Sequence, residues 1–298
     1  MSSNQSVMMT RRGKFRFIYR ELKRRDLLKS TPIILCEGDS WFSTPLSPNM
    51  LDWLVNATPD EEARMAPVLG KGGLFFRAEK SGDLAINMFT RKNIKDLAKW
   101  YGRFDFDAVL ISAGGNDCVD DFLKELFKDD NEMSVAEARE KVRDSGRFDE
   151  IHSAYWRFLD RFTSIKPTVP IIGHTYDYPL RLGVPGELTL RNLGVAAVFK
   201  KTVGDWISRH IKHVLPDLND QLEFSKQLID DFVDRVLKPL DQEFPSFSFV
   251  DLRGSLTTKE HWFDEMHPTG EGFHILAKKM RTAVIQKLSE KFDGDSPA

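Results

Sequence analysis

Ser40 follows Gly38 and Asp39 at the end of an apolar run, Pro32-Ile33-Ile34-Leu35-Cys36. A serine hydroxyl is a poor nucleophile until a base takes its proton and a third group orients that base. Seven histidines are available. His267 stands out, because Asp264 precedes it by three residues and Pro268 and Gly270 mark a turn. In such a turn the carboxylate reaches one imidazole nitrogen and leaves the other facing the serine. His261 could use the same acid and is the fallback base. His152, His210, His213 and His274 fall inside helical patterns and read as packed or solvated side chains.

Acyl transfer also needs donors aimed at the developing oxyanion. Three candidates each follow an expected strand: the backbone N–H of Ser40, the backbone N–H of Gly82, and the side-chain amide of Asn116 in Gly114-Gly115-Asn116-Asp117. Singly, Gly82 reads as an ordinary turn glycine and Asn116 as a helix cap. Presented along one edge of one sheet, they would form an oxyanion site.

The elements that must position these residues alternate between strand and helix. Strand patterns fall at 33–36, 75–78, 106–112, 168–173 and 247–252. Helical periodicity covers 49–55, 84–100, 203–213, 218–243 and 272–291, and 119–162 in two or three pieces. Asp83 is placed to cap the helix at 84, and Ser134 with Glu137 forms a capping box. Strands separated by helices imply parallel βαβ units with helices on both faces of the sheet. Ligands then bind at the carboxyl ends of the strands. The chain divides into a basic segment at 1–30, one domain at 31–292, and a polar tail at 293–298. The domain carries a helical insertion near 119–165 and a long loop near 179–200.

With 298 residues and 41% hydrophobic side chains, the chain can bury a large core. A formal charge of −2 gives no global reason to expect nucleic acid as a partner. No apolar run approaches the roughly 20 residues that span a bilayer, and no secretory h-region follows the basic N-terminus; the expected location is cytoplasmic. Cys36 and Cys118 read as two free thiols. In the segment Arg11 to Lys29, Phe15, Ile18, Leu22 and Leu28 recur at near-helical spacing among basic residues. That pattern is a peripheral helix docked on the domain with its charges solvated; contact with an acidic membrane surface is the sharper alternative. No metal-ligand cluster, P-loop, dinucleotide fingerprint or G-x-S-x-G elbow is present. Asp39 as a phosphoryl acceptor lacks a phosphate cradle and leaves Asn116 and His267 unexplained.

Gly38-Asp39-Ser40, Gly82, Gly114-Gly115-Asn116-Asp117 and Asp264-x-x-His267 stand in the order of the four blocks of the SGNH (GDSL) hydrolase family, which this sequence resembles from about residue 33 to the last helix. The tripeptide alone is a weak signal, since Gly294-Asp295-Ser296 repeats it in the tail with no strand before it. The resemblance implies a three-layer α/β/α, flavodoxin-like fold with a central parallel sheet of about five strands. It also implies a cofactor-free serine esterase or acylhydrolase. Carried over by position, Ser40 is nucleophile, His267 base and then acid, and Asp264 its orienter, with Ser40, Gly82 and Asn116 as oxyanion hole. Trp41 and Phe42 depart from the family's usual small or Leu residues and are expected to line the acyl pocket, together with His174 and Tyr176. A catalytically weak binding module for an acylated or glycosylated partner is the alternative, and covalent labelling of Ser40 by an active-site serine probe separates the two.

Overall fold

Continuous apolar runs, as opposed to alternating ones, mark strands covered on both faces. All five residues of the strand at 108–112 are buried, as are Ile33 to Cys36. In the computed structural model, which describes residues 8–44, 47–55, 73–184 and 205–288, the strands are β1 (Met8–Thr10), β2 (Ile33–Gly38), β3 (Leu74–Arg77), β4 (Ala108–Ser112), β5 (Ile171–His174) and β6 (Phe247–Val250). All pair in parallel, in the order β1-β3-β2-β4-β5-β6. Strands β2 to β6 form the flavodoxin-like sequence of neighbours. The count exceeds the expected five because β1 adds an edge strand, with Met8 opposite Leu74 and Thr10 opposite Phe76. Three residues are too few to show a period, so this strand was invisible in the sequence pattern.

The helices are α1 (Arg12–Arg24), α2 (Ser40–Ser43), α3 (Met50–Val55), α4 (Ala85–Met88), α5 (Arg91–Arg103), α6 (Asp121–Phe127), α7 (Val135–Asp144), α8 (Arg147–Thr163), α9 (Ser208–Ile211), α10 (Leu218–Phe232), α11 (Lys238–Glu243) and α12 (Gly270–Lys287). A π-helical turn, Val233–Leu237, joins α10 to α11. Right-handed crossovers set the layers. Connections that advance toward β6 put α1, α5, α8 and α10 on one face. The reverse step from β2 to β3 puts α3 on the other face, where α12 packs against it.

Two local expectations change. The helix expected at 84–100 is broken at Phe89, and Thr90 caps a new start by accepting from Asn93 N. Asp83 does not cap α4: its first N–H groups, Ala85 and Ile86, donate to the Asp117 carboxylate at 2.7 and 3.1 Å. The cap comes from the turn after β4, a contact that no local spacing encodes. The helix expected at 203–213 contracts, among the described residues, to the single turn α9. Ser134 and Glu137 form their capping box. Cys36 and Cys118 are free and buried. The second Gly-Asp-Ser, the glycines at 70 and 72, and most of the loop at 179–200 lie outside the described residues.

Helix α1 is fixed to the domain by one aromatic cluster. Phe15 is fully buried, with ring centroids 5.2 Å from Phe76 and Phe104 and 5.5 Å from Phe106. Ile18 and Tyr19 are buried beside it, and the Tyr19 hydroxyl donates to Asp105 at 2.8 Å. Phe15→Ala removes the centre of this cluster and is expected to cost about 3–5 kcal/mol of stability. Urea denaturation checks this, and a loss below about 1 kcal/mol would mean that α1 is not anchored through this ring.

Candidate active site

β2 and β4 are neighbours whose chains leave the sheet in different directions, so a crevice opens beyond their carboxyl ends. Gly38 lies against Ser112 across this pair. A Cβ there would come within 2.8 Å of the Ser112 Cβ and carbonyl oxygen, so only glycine permits the approach. Asp39 N then donates to Ser112 O at 2.8 Å, and the chain turns. The buried Asp39 carboxylate accepts from Trp41 N at 3.0 Å, from Ser112 Oγ at 2.8 Å, and from the Tyr176 hydroxyl. It caps α2, whose first residue is Ser40. Burial pushes the Asp39 carboxyl upward against the pull of these hydrogen bonds. The Tyr176 phenol is pushed up further, by burial and then by the neighbouring Asp39 charge.

The loop after β6 brings the base. Trp262 and Pro268 pair as an antiparallel bridge, and Phe263 N donates to His267 O at 2.8 Å, closing a tight loop. Inside it, Asp264 Oδ1 accepts from Met266 N at 2.8 Å and His267 N at 2.7 Å. Both carboxylate oxygens lie 2.9 Å from His267 Nδ1, and His267 Nε2 lies 2.9 Å from Ser40 Oγ. With Nδ1–H donating to the carboxylate, Nε2 presents its lone pair to the serine. Burial works to raise the Asp264 carboxyl. Attraction to His267 and the hydrogen bonds outweigh it and hold the group below its ordinary value, ionised. The Trp41 indole N–H donates to Met266 O at 3.0 Å and fastens this loop to the serine's helix.

Asn116 opens a 3₁₀ turn just past β4. Its side-chain amide donates to Asp83 O at 3.1 Å, leaving a second N–H on the same nitrogen. Gly82, one residue before Asp83, is exposed with φ +80°. The Asn116 to Asp83 bond and the Asp117 bonds to α4 hold the Gly82 turn and the Asn116 turn together. The two glycines before Asn116 have steric causes. A Cβ on Gly115 would meet the Tyr176 ring at 2.6 Å, and one on Gly114, at φ +107°, would meet Phe232 at 2.6 Å.

A small cavity opens beside these groups, lined mainly by apolar side chains. Trp41, Gly115 and Met266, the chain neighbours of Ser40, Asn116 and His267, line it together with Tyr176, Leu228 and Phe232. Trp41 and Tyr176 line this cavity, and Phe42, in α2, and His174, the last residue of β5, do not; both are buried. The His174 ring stacks on Trp41 at 5.5 Å, its Nδ1 is 2.8 Å from Thr175 O, and burial lowers its pKa to about 4, which keeps it neutral. A strand end points alternate side chains to opposite faces, and only structure tells which face meets the pocket. His261 has no bond to Asp264; its carbonyl accepts from Thr269 N.

Sequence reasoning passed over several residues at this site. Trp206 stands edge-on to His267, with centroids 6.4 Å apart. Leu228 and Phe232 reach the cavity from α10, where they read as ordinary core positions. Glu265, fully buried beside Asp264, accepts from Gly183 N at 2.7 Å and Ile207 N at 2.6 Å, and burial raises its carboxyl. An acidic residue adjoining the Asp-x-x-His pair was the available signal.

No protein-family model matches the sequence, and no curated protein does. Solved structures do align with the chain. An extracellular lipase from Streptomyces rimosus aligns over 85% of this chain and 100% of its own, at 14% identity and a TM-score of 0.48. A GDSL-like lipase described as putative, from Bacteroides ovatus, aligns over 88% of this chain and 55% of its own, at 15% identity and a TM-score of 0.47. A carbohydrate esterase of family 3 from Talaromyces cellulolyticus aligns over 87% of this chain and 99% of its own, at 15% identity and a TM-score of 0.43. These are distant likenesses; the three-layer α/β/α fold stands on its own strand order and register.

Proposed function

We propose that this chain is a serine hydrolase of the SGNH kind that cleaves carboxylic esters through an acyl-enzyme on Ser40. The observation that carries the reading is the unbroken line from Asp264 through His267 to Ser40 Oγ, with 2.9 Å at both joints. Ser40 Oγ attacks the ester carbonyl while His267 Nε2 takes its proton. The ionised Asp264 stabilises the imidazolium that forms. The tetrahedral oxyanion is met by the second N–H of Asn116 and by the backbone N–H groups of Ser40 and Gly82. Collapse expels the alkoxide, which leaves as the alcohol with the proton from His267. His267 then deprotonates a water, the hydroxide attacks the acyl-enzyme, and the carboxylic acid departs with Ser40 restored.

The apolar cavity supports placing the acyl chain between Trp41 and α10, because the chain neighbours of Ser40, Asn116 and His267 are among the residues that line it. Polar acyl groups would have to shed water there without compensation. Asp177 and Glu265 border the space, but both are already engaged by backbone N–H donors.

Ser40→Ala is expected to abolish hydrolysis of p-nitrophenyl esters, and covalent labelling by a fluorophosphonate, with an unchanged circular dichroism spectrum. Wild-type turnover in this variant would remove Ser40 from the chemistry. Asn116→Ala is expected to lower kcat by about 10² or more with a smaller effect on KM; an unchanged kcat would take the amide out of the oxyanion site. Leu228→Trp fills the cavity wall. It is expected to cut kcat/KM for p-nitrophenyl octanoate by about tenfold or more relative to the acetate, and equal losses on both esters would place the acyl chain elsewhere.

A further inference from the structure

The basic segment at the N-terminus does not stand alone in three dimensions. Helix α1 carries six Lys and Arg against one acid, and α5 carries five against one. The two helices meet through side chains. Arg16 and Arg12 of α1 lie 4.6 and 5.8 Å from the Trp100 ring of α5, and Tyr19 meets Phe104 at the end of α5 at 4.9 Å. All eleven basic residues are exposed. Among the described residues, the ion pairs within this set are Arg24 with Glu21 and Lys99 with Asp96, each an exposed pair three residues apart. Together α1 and α5 hold a net charge of +9, so the rest of the chain, whose total is −2, carries −11.

On α1 stands Phe17, 66% exposed and the most exposed large apolar side chain among the described residues. Lys14 lies three residues before it and Arg20 three after, so on the helix surface the ring is flanked by cations. An exposed aromatic ringed by Lys and Arg is the pattern of a helix that lies in a lipid interface, with the ring below the headgroups and the cations among the phosphates. A phosphate backbone would use the same cations but has no place for the ring. No helix among the described residues is long and apolar enough to cross a membrane, so the contact would be peripheral.

We propose that the α1–α5 face is a docking surface for bilayers containing anionic lipid. Each basic side chain near such a surface adds to an attraction that salt screens, and the buried ring adds a contribution that salt does not screen. Helix α1 packs against β3 and β1 and α5 against α8, and no residue of either helix lines the cavity beside Ser40. Docking therefore leaves the crevice open, and the inference holds whatever chemistry Ser40 performs.

The test is co-sedimentation of the full chain with phosphatidylcholine vesicles, with and without phosphatidylserine. Binding is expected only to vesicles containing phosphatidylserine and is expected to weaken as salt rises. The triple variant Arg16→Glu, Arg20→Glu, Lys95→Glu is expected to bind at least about 100-fold more weakly, with circular dichroism and any ester turnover unchanged. Phe17→Ser is expected to weaken binding by about tenfold or more at every salt concentration. Failure to bind phosphatidylserine vesicles, equal binding to phosphatidylcholine alone, or an unaffected triple variant would each overturn the proposal. So would binding to a duplex DNA fragment with no binding to vesicles, which would assign the face to nucleic acid.

Discussion

The site rests on the carboxylate of Asp39. It is buried, and its two oxygens join three elements: the backbone of the turn carrying Ser40, the Ser112 hydroxyl at the end of β4, and the Tyr176 hydroxyl just past β5. Removing a carboxylate from water is costly unless hydrogen bonds replace the lost hydration. Here they do, and the same bonds fix the angle at which α2 leaves β2. That angle sets where Ser40 Oγ points. The Tyr176 ring, held by Asp39, in turn packs against Gly115, so the position of the Asn116 turn follows from the same carboxylate.

Asp39 is one of several buried acids with this role. Asp117 is pushed up to about 6 by burial while it caps α4, Asp177 gathers N–H groups from Tyr178 and Leu256, and Glu265 gathers them from Gly183 and Ile207. Each binds backbone donors of loops that have left the sheet. A parallel sheet satisfies its own backbone, but the loops at its carboxyl edge have no ladder to join. Buried carboxylates supply acceptors there, and they do so at the edge where the loops must hold still for chemistry.

The sheet was legible because its strands are buried on both faces and therefore apolar without interruption; β2 and β4 are the clearest runs in the chain. Asp264 and His267 were legible because they lie within one turn of chain, where spacing and geometry are nearly the same thing. His174 and Phe42 lie off the cavity, and neither the end of β5 nor the single turn of α2 gives a sign in the sequence of which side chain faces it. Leu228, Phe232 and Glu265 were missed for a related reason: a helix interior or a second acid beside a first acquires meaning only from what packs opposite. The charged face of α1 and α5 was half visible, since the two helices are separated by more than sixty residues of chain and their sum exists only in the folded protein.

The loop from Trp262 to Pro268 closes on itself by a bridge, holds its own acid against its own imidazole, and meets the serine's helix at two points, the Trp41 indole N–H and the Ser40 hydroxyl. Asp264 and His267 are thus a self-contained unit, while the sheet edge carries the turns that hold Ser40, Gly82 and Asn116. Exchanging seven consecutive residues would therefore alter this carboxylate and this imidazole together while leaving every strand of the sheet its own sequence.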